Sequence, residues 1–194
     1  RLRPDGQVQA SLREAGAAPG APPFIEATLV FAEALPEPPP AGEFALTAAG
    51  PSRWTPERLY EDGMFHGPAF RGIVAMDEVG EDGATATLAV KPARGLLRSQ
   101  PDPAFLTDPV LLDQPGQVVG LWTAERLETG YVIFPFALEA LHLYAHPPAD
   151  EQLACRARIA LIGEQRVRSN LDIVGPDGRL WARFVGWEDR RFDL

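Results

Sequence analysis

Among its 194 residues the sequence has one cysteine, Cys155. A single thiol excludes an intrachain disulfide framework and suits a reducing compartment. Cys155 lies in an alternating apolar segment, where it reads as a small buried hydrophobe rather than a reactive thiol. No apolar run approaches the roughly 20 residues that a membrane span needs, and the N-terminus lacks a signal-peptide pattern. These absences together point to a cytoplasmic location and no membrane partner. Positive charge is also short: 18 Lys and Arg stand against 27 Asp and Glu, a formal net charge of -9. That balance argues against nucleic acid as the main partner, because phosphate binding needs clustered cations. There is no paired Cys/His spacing for zinc, no EF-hand loop, no phosphate-binding Gly-rich loop and no G-x-S-x-G elbow. No metal is expected.

What is present suffices for a folded domain. The 45% hydrophobic content can build a core, and 23% charged residues make an ordinary surface. The opening Arg1-Leu2-Arg3-Pro4-Asp5-Gly6 has no initiator Met and reads as a turn, so a piece of a larger polypeptide is expected. Residues 7–14 and 24–33 alternate like half-buried strands, with a loop of Ala, Gly and Pro between them. Two strands cannot bury a core by themselves. Residues 36–42 (PEPPPAG) forbid a helix and favour extended geometry, so 36–53 reads as a connector between two similar modules.

From Trp54 the pattern tightens. Thr55-Pro56-Glu57-Arg58 predicts a short helix with Thr55 as N-cap, ending near Gly63. Residues 70–78 and 84–90 are expected as strands joined through Gly80-Glu81-Asp82-Gly83. After a Pro-rich loop, residues 113–127 form the best helix, with Val118, Val119, Trp122 and Leu127 as a largely apolar stripe. Strands follow at 131–144 (broken by Pro135), 153–162, 166–174 and 179–187, the last entered through the turn Pro176-Asp177-Gly178. One long helix against a curved antiparallel sheet is an α+β plan, because such a sheet can bury an apolar helix from one side.

The strongest chemical candidate is Asp113. An Asp directly before a helix with Pro115 in its first turn is first of all an N-cap, its carboxylate accepting free backbone N–H groups. The same placement in an apolar pocket suits a proton donor, since burial favours a neutral carboxyl while capping favours a charged one. Both roles stay open on sequence. Gln117, one helical turn on, shares the side of Asp113 and could orient it or bind a substrate oxygen. In Phe65-His66-Gly67-Pro68-Ala69-Phe70, Gly67-Pro68 forces a bend anchored by flanking aromatics. His66 suits acid–base work but beside a turn is more often structural; His142 and His146 are weaker candidates. Arg166, Arg168, Arg190 and Arg191 read as solvated surface, with docking of an acidic carrier protein as the minority role.

HGPAF at residues 66–70, LLDQPGQ at 111–117 and FPFALEALHLY at 134–144 resemble the dehydratase domains of polyketide synthases. Their motifs are Y/H-G-P-x-F and L-L-D-x-x-x-Q/H, and the resemblance runs from Trp54 to the end. It implies the second half of a double hotdog: residues 1–35 as the last strands of a preceding hotdog, 36–53 as the link and 54–194 as the C-terminal hotdog. MFHGPAFRG, FLTDPVLLDQPGQVVGLW and GWEDRRFDL resemble iterative enediyne-type synthases more narrowly. The implied activity is loss of water from a β-hydroxyacyl thioester to the trans-α,β-enoyl product. Asp113 is then the catalytic acid with Gln117 beside it, and His66, Gly67, Pro68, Phe70, Phe134 and Pro135 bind substrate. No metal or organic cofactor is implied, the substrate riding on the phosphopantetheine arm of an acyl carrier protein. The implied partners are that carrier, neighbouring synthase domains and a homodimer mate.

The sequence departs from the family in one respect. The His motif H-x-x-x-G-x-x-x-x-P of the first hotdog is missing, and none of His66, His142 and His146 sits in one, so the basic His is expected outside this chain. Other readings are a non-catalytic hotdog with a structural or dimerisation role, a product-template-type cyclase, or a hotdog thioesterase. The missing base predicts that the purified chain alone does not dehydrate. Enoyl product formed at a normal rate from a β-hydroxyacyl carrier-protein substrate would overturn this.

Overall fold

Period-two alternation in the first segment produces an antiparallel hairpin of β1 (Gln7–Leu12) and β2 (Ile25–Val30), in register from Gln7↔Val30 to Leu12↔Ile25. The computed structural model describes residues 6–127, 131–146 and 151–193, and divides into two units at Leu35/Pro36. Within its unit the hairpin leaves every residue of β2 exposed, and on its apolar face Ile25 keeps 59% and Leu12 57% of their surface. Two strands with such an uncovered apolar face are marginal in water.

The second unit is built on a seven-stranded antiparallel sheet. Its strands are β3 (Ile73–Gly80), β4 (Gly83–Ala89), β5 (Tyr131–Ala137), β6 (Ala140–Leu143), β7 (Gln152–Ile162), β8 (Arg166–Val174) and β9 (Leu180–Asp193). They run β3-β4-β7-β8-β9-β5, with β6 also paired to β9. Helix α1 (Pro109–Arg126) packs on β4 and β7. The reason it fits there is small side chains: Ala84 pairs with Ala157 and Ala86 with Cys155, all four fully buried. Larger residues, Leu88, Leu171, Ile173 and Phe184, complete the core around Leu111, Val118 and Trp122 of the helix. The buried indoles find acceptors, Trp122 Nε1 donating to Gly80 O at 2.9 Å and Trp54 Nε1 to Leu121 O at 3.0 Å. The expected hotdog plan, one helix against an antiparallel sheet, is the observed one. Cys155 is buried as expected, and burial pushes its thiol well above the usual range.

Several local expectations need correction. The long helix starts at Pro109, not Asp113, and Asp108 is its N-cap: Oδ1 accepts from Val110 N and Leu111 N, both at 2.9 Å. Asp108-Pro109 is the cap-plus-proline pair that the sequence offers one turn earlier. Pro115 therefore lies inside the helix, where its missing N–H deprives Leu111 of the usual partner. Burial is not confined to one stripe either, since Leu111, Gln114, Gln117, Val119 and Leu121 are all buried.

Thr55 does not cap a helix through its side chain. Its carbonyl accepts from Arg58 N and Leu59 N, and the helical part is a single π-turn at Leu59–Gly63. The first strand of this sheet begins at Ile73, because Pro68–Phe70 closes a 3-10 turn. Pro135 does not break its strand; it pairs with Asp189, and the interruption falls at Leu138 and Glu139. β5 is an edge strand, where a proline can be accommodated. The last strand runs on to Asp193.

The Pro-rich segment belongs to the second unit and is bonded to its last turn and strand: Leu180 N donates to Pro39 O and Ala41 N to Gly178 O, both at 2.9 Å. Pro147 and Pro148 lie outside the described residues.

Two glycines separate steric from conformational need. At Gly83 φ is +153° and an added Cβ would fall 1.9 Å from Ala157 O, whereas at Gly178 φ is +77° with open space around it. Gly83→Ala should cost more than ~3 kcal/mol by prising β4 from β7, and Gly178→Ala about 1 kcal/mol. Urea denaturation of the two variants checks that order; equal losses would overturn it.

Candidate active site

The bend at residues 65–70 is braced by side chains from outside it. Arg71 Nε donates to His66 O at 2.9 Å, and Lys91 Nζ donates to Pro68 O at 3.0 Å and Arg71 O at 3.2 Å. Phe65 stacks on the His66 ring with centroids 4.5 Å apart. The imidazole is thereby turned toward α1, where Nε2 approaches Asp113 Oδ2 at 3.3 Å. The His66 side chain is 16% exposed and that of Asp113 is 39% exposed, so the pair lies at a partly open site.

Gln117 joins these elements. Its Nε2 donates to Asp113 Oδ2 at 2.6 Å and to Phe70 O at 2.9 Å. Its Oε1 accepts from Tyr60 OH at 2.9 Å, while the Tyr60 oxygen accepts from Ile73 N at 2.8 Å. With its oxygen already accepting an N–H, Tyr60 points its own proton at Gln117, and this fixes which end of the amide is which. A buried amide at 2% exposure thus has both ends satisfied. Burial raises the Tyr60 hydroxyl above its ordinary range, which keeps it a donor.

Asp113 and Gln117 open onto a cavity of about 540 Å³. One wall is a stripe of α1: Asp113, Gly116, Gln117, Gly120, Thr123 and Ala124, spaced at helical turns. Facing it are residues 132–135 of β5 and Trp187 and Asp189 of β9, with Met64, Phe65 and His66 completing the wall. The two glycines make room for neighbours. A Cβ on Gly116 would meet Trp187 Cζ2 at 2.8 Å, and one on Gly120 would meet Met64 Cε at 2.5 Å.

Of the residues singled out in the sequence, Asp113, Gln117, His66, Phe134 and Pro135 line this cavity. Gly67, Pro68 and Phe70 do not; they form the turn whose Phe70 carbonyl accepts from Gln117 and whose Pro68 carbonyl accepts from Lys91. Asp113 is not an N-cap, so its carboxylate is left to the cavity. His142 pairs with Arg183 across β6 and β9 and stacks near Tyr144, away from the site. Arg166 and Arg168 form surface ion pairs with Glu188. Among the described residues no group of three or more His, Cys, Asp and Glu could hold a metal ion, and no helix is long and apolar enough to cross a membrane.

Sequence reasoning missed Tyr60 and Asp189. Asp189 is 2% exposed, and its Oδ2 accepts from Trp187 Nε1 at 2.8 Å. Burial pushes its carboxyl up to about 7, the Trp187 hydrogen bond opposing only part of that rise. In GWEDRR it reads as one of a run of surface charges. Its inward direction follows from the parity of Trp187, two residues earlier.

Comparisons with known proteins agree with this architecture. A family model described as "Polyketide synthase dehydratase N-terminal domain" matches residues 33–193. Mycoketide-CoA synthase of Mycobacterium tuberculosis (strain ATCC 25618 / H37Rv) is 34% identical over 135 residues, which make up 69% of this chain and 3% of that protein. A trans-AT polyketide synthase dehydratase domain from Brevibacillus brevis superposes with a TM-score of 0.69 at 17% identity, covering 100% of this chain and 68% of its own. The dehydratase domain of the polyketide synthase PpsC from Mycobacterium tuberculosis gives 0.66 at 20% identity, covering 97% and 64% respectively. At these identities the two structures show a shared fold.

The buried Asp189 carboxyl has a measurable consequence for stability. Its folded pKa, about 7, lies above the ordinary 3.8, so between these values the folded chain keeps a proton that the unfolded chain has released. Its contribution to stability therefore falls as pH rises through that window, by on the order of a few kcal/mol. Asp189→Asn removes the titration. Its melting temperature relative to wild type should climb from pH 4 to pH 8, and a difference that stays flat with pH would contradict the assignment.

Proposed function

Since the chain belongs to the polyketide synthase dehydratase N-terminal domain family, we propose that it supplies the acid half of a dehydratase acting on a β-hydroxyacyl thioester carried by an acyl carrier protein. The observation that carries this reading is the Asp113 carboxylate, free of any capping role, held by the Gln117 amide at the wall of a largely apolar cavity. Membership of the family implies a hydro-lyase kind of activity. The finer statements, which residue gives the proton and what brings the substrate, are the proposal.

In the elimination, a base removes the α-proton and the C–H electron pair becomes the Cα=Cβ bond. The Cβ–O bond breaks, and the departing hydroxyl takes a proton from Asp113 and leaves as water. A positioned acid of this kind contributes about 10²- to 10⁴-fold. Gln117 fixes the carboxyl through Oδ2, and the satisfied amide leaves little freedom to turn. A substrate seated against Trp187, Ile133 and Phe134 displaces water and so strengthens each polar contact at the reacting centre. The reaction is redox-neutral and moves two protons, so the proposal requires no metal or organic cofactor beyond the phosphopantetheine arm. The base, a His, belongs to a preceding hotdog outside this chain. The isolated chain accordingly lacks half the dyad.

We assign residues 54–194 to the C-terminal hotdog on the L-L-D-x-x-x-Q motif of α1, although the family description names an N-terminal domain. Residues 1–35 supply the last strands of the preceding hotdog. The uncovered apolar face of the β1–β2 hairpin supports this, because such a face requires a partner sheet or helix. Neighbouring synthase domains and the acyl carrier protein are the proposed partners.

A second reading has one observation behind it. His66 Nε2 lies 3.3 Å from Asp113 Oδ2, and an intrachain His/Asp pair is what a hotdog cyclase or thioesterase would use. Product analysis on the intact parent domain separates the readings: enoyl thioester for a dehydratase, free acid or ring for the others. Asp113→Asn should lower enoyl formation by roughly 10²-fold or more while the melting temperature stays near wild type. Undiminished enoyl formation by that variant would remove Asp113 as the acid.

A further inference from the structure

The dehydration proposed above uses Asp113 and leaves a second carboxyl in the same cavity without a task. Asp189 reaches the wall from β9, opposite the helix stripe that bears Asp113. The Trp187 indole stands between them, its Nε1 bonded to Asp189 and its Cζ2 edge against Gly116. Nearby, Val132, Ile133, Phe134 and Pro135 present an apolar lining. A buried acid facing an apolar chamber is costly unless something in that chamber uses it.

We propose that Asp189 is a specificity-determining residue: its carboxyl group recognises a hydroxyl or keto oxygen on the acyl chain beyond the reacting Cα–Cβ unit, so the site favours oxygenated chains over plain alkyl ones. The chemistry follows from burial. A neutral carboxyl donates one hydrogen bond and accepts others, so it serves either oxygen function. An alkyl chain offers that buried donor no partner, and selection by an unpaired buried group is stronger than selection by fit alone.

The surrounding charges are compatible with this role. The other titratable groups on the cavity wall are Arg53, Asp62, His66 and Asp113. On β9 itself Glu188 is turned away into ion pairs with Arg166 and Arg168, Arg190 is exposed, and Arg191 follows two residues on. The strand neighbours paired with Asp189, Pro135 and Val167, carry no charge.

This inference rests on the site taking acyl thioesters, and the test keeps the two apart by reading binding as well as turnover. Calorimetric titration of the full chain would use 3-hydroxydecanoyl pantetheine and analogues bearing one further hydroxyl at successive odd carbons. At pH 6 at least one analogue should bind roughly tenfold more tightly than the alkyl compound, the size of one net hydrogen bond. Asp189→Val should bring the ratio to about one. Asp189→Asn, which keeps a donor and an acceptor, should preserve it. A purely structural Asp189 would lower the melting temperature of the Val variant without moving the ratio, and that outcome overturns the proposal, as does a wild-type chain indifferent to every analogue. Selective binding with no enoyl product from the parent domain would instead sink the dehydratase reading and leave this one standing.

Discussion

The amide of Gln117 is the contact on which the site depends. Its two N–H groups and its oxygen reach three separate stretches of chain: Asp113 on its own helix, the Phe70 carbonyl in the 3-10 turn, and Tyr60 in the π-turn. Every bond is directional, and each partner is itself held, Tyr60 by Ile73 N and the turn by Lys91. Losing one donor would leave buried acceptors unpaired in a low-dielectric setting, so the network behaves as a unit. The H-G-P-x-F and L-L-D-x-x-x-Q segments thus form one structural device, although some 40 residues of chain lie between them.

The sheet makes this device possible by its smallness at the centre. Ala84, Ala86, Cys155 and Ala157 form a shallow floor on which α1 can lie close. The helix is then buried on several sides, and its stripe from Asp113 to Ala124 faces the cavity. Gln114, fully buried, reaches back to Ala89 O at 3.0 Å and presses so near Gly72 that a Cβ there would fall 2.0 Å from its Nε2. Helix, floor and bend are therefore fitted to each other at atomic range, with little room to shift one alone.

The strands and the long helix were legible because their signals are local: alternation over 153–162 and 166–174, turn residues at 176–178, and an apolar run after the Pro-rich loop. The site was legible in part for the same reason, since Asp113 and Gln117 lie one turn apart and His66 is marked by its Gly-Pro bend. What escaped was non-local. The helix start expected at Asp113 falls four residues late because Asp113 with Pro115 mimics a cap-and-proline pair, and only the backbone shows that Asp108 is the one bonded to free N–H groups. Tyr60 had no motif, its role arising from a turn that brings Ile73 N to it. Asp189 was hidden by a run of charges and by Gly186, whose φ of +60° and register shift disturb the alternation on which an inside-or-outside reading depends.

The two glycines on the cavity face of α1 hold a wider meaning. Met64 and Trp187 occupy the space that side chains at Gly120 and Gly116 would take, so the calibre of the chamber is set by a trade between helix and wall. Neither glycine is one of the polar groups around Asp113. Chamber dimensions can therefore drift by paired exchanges, a methyl gained on the helix against bulk lost from the wall, while the proton-handling apparatus stays unaltered. Breadth of substrate and competence for chemistry are, in this fold, separately heritable.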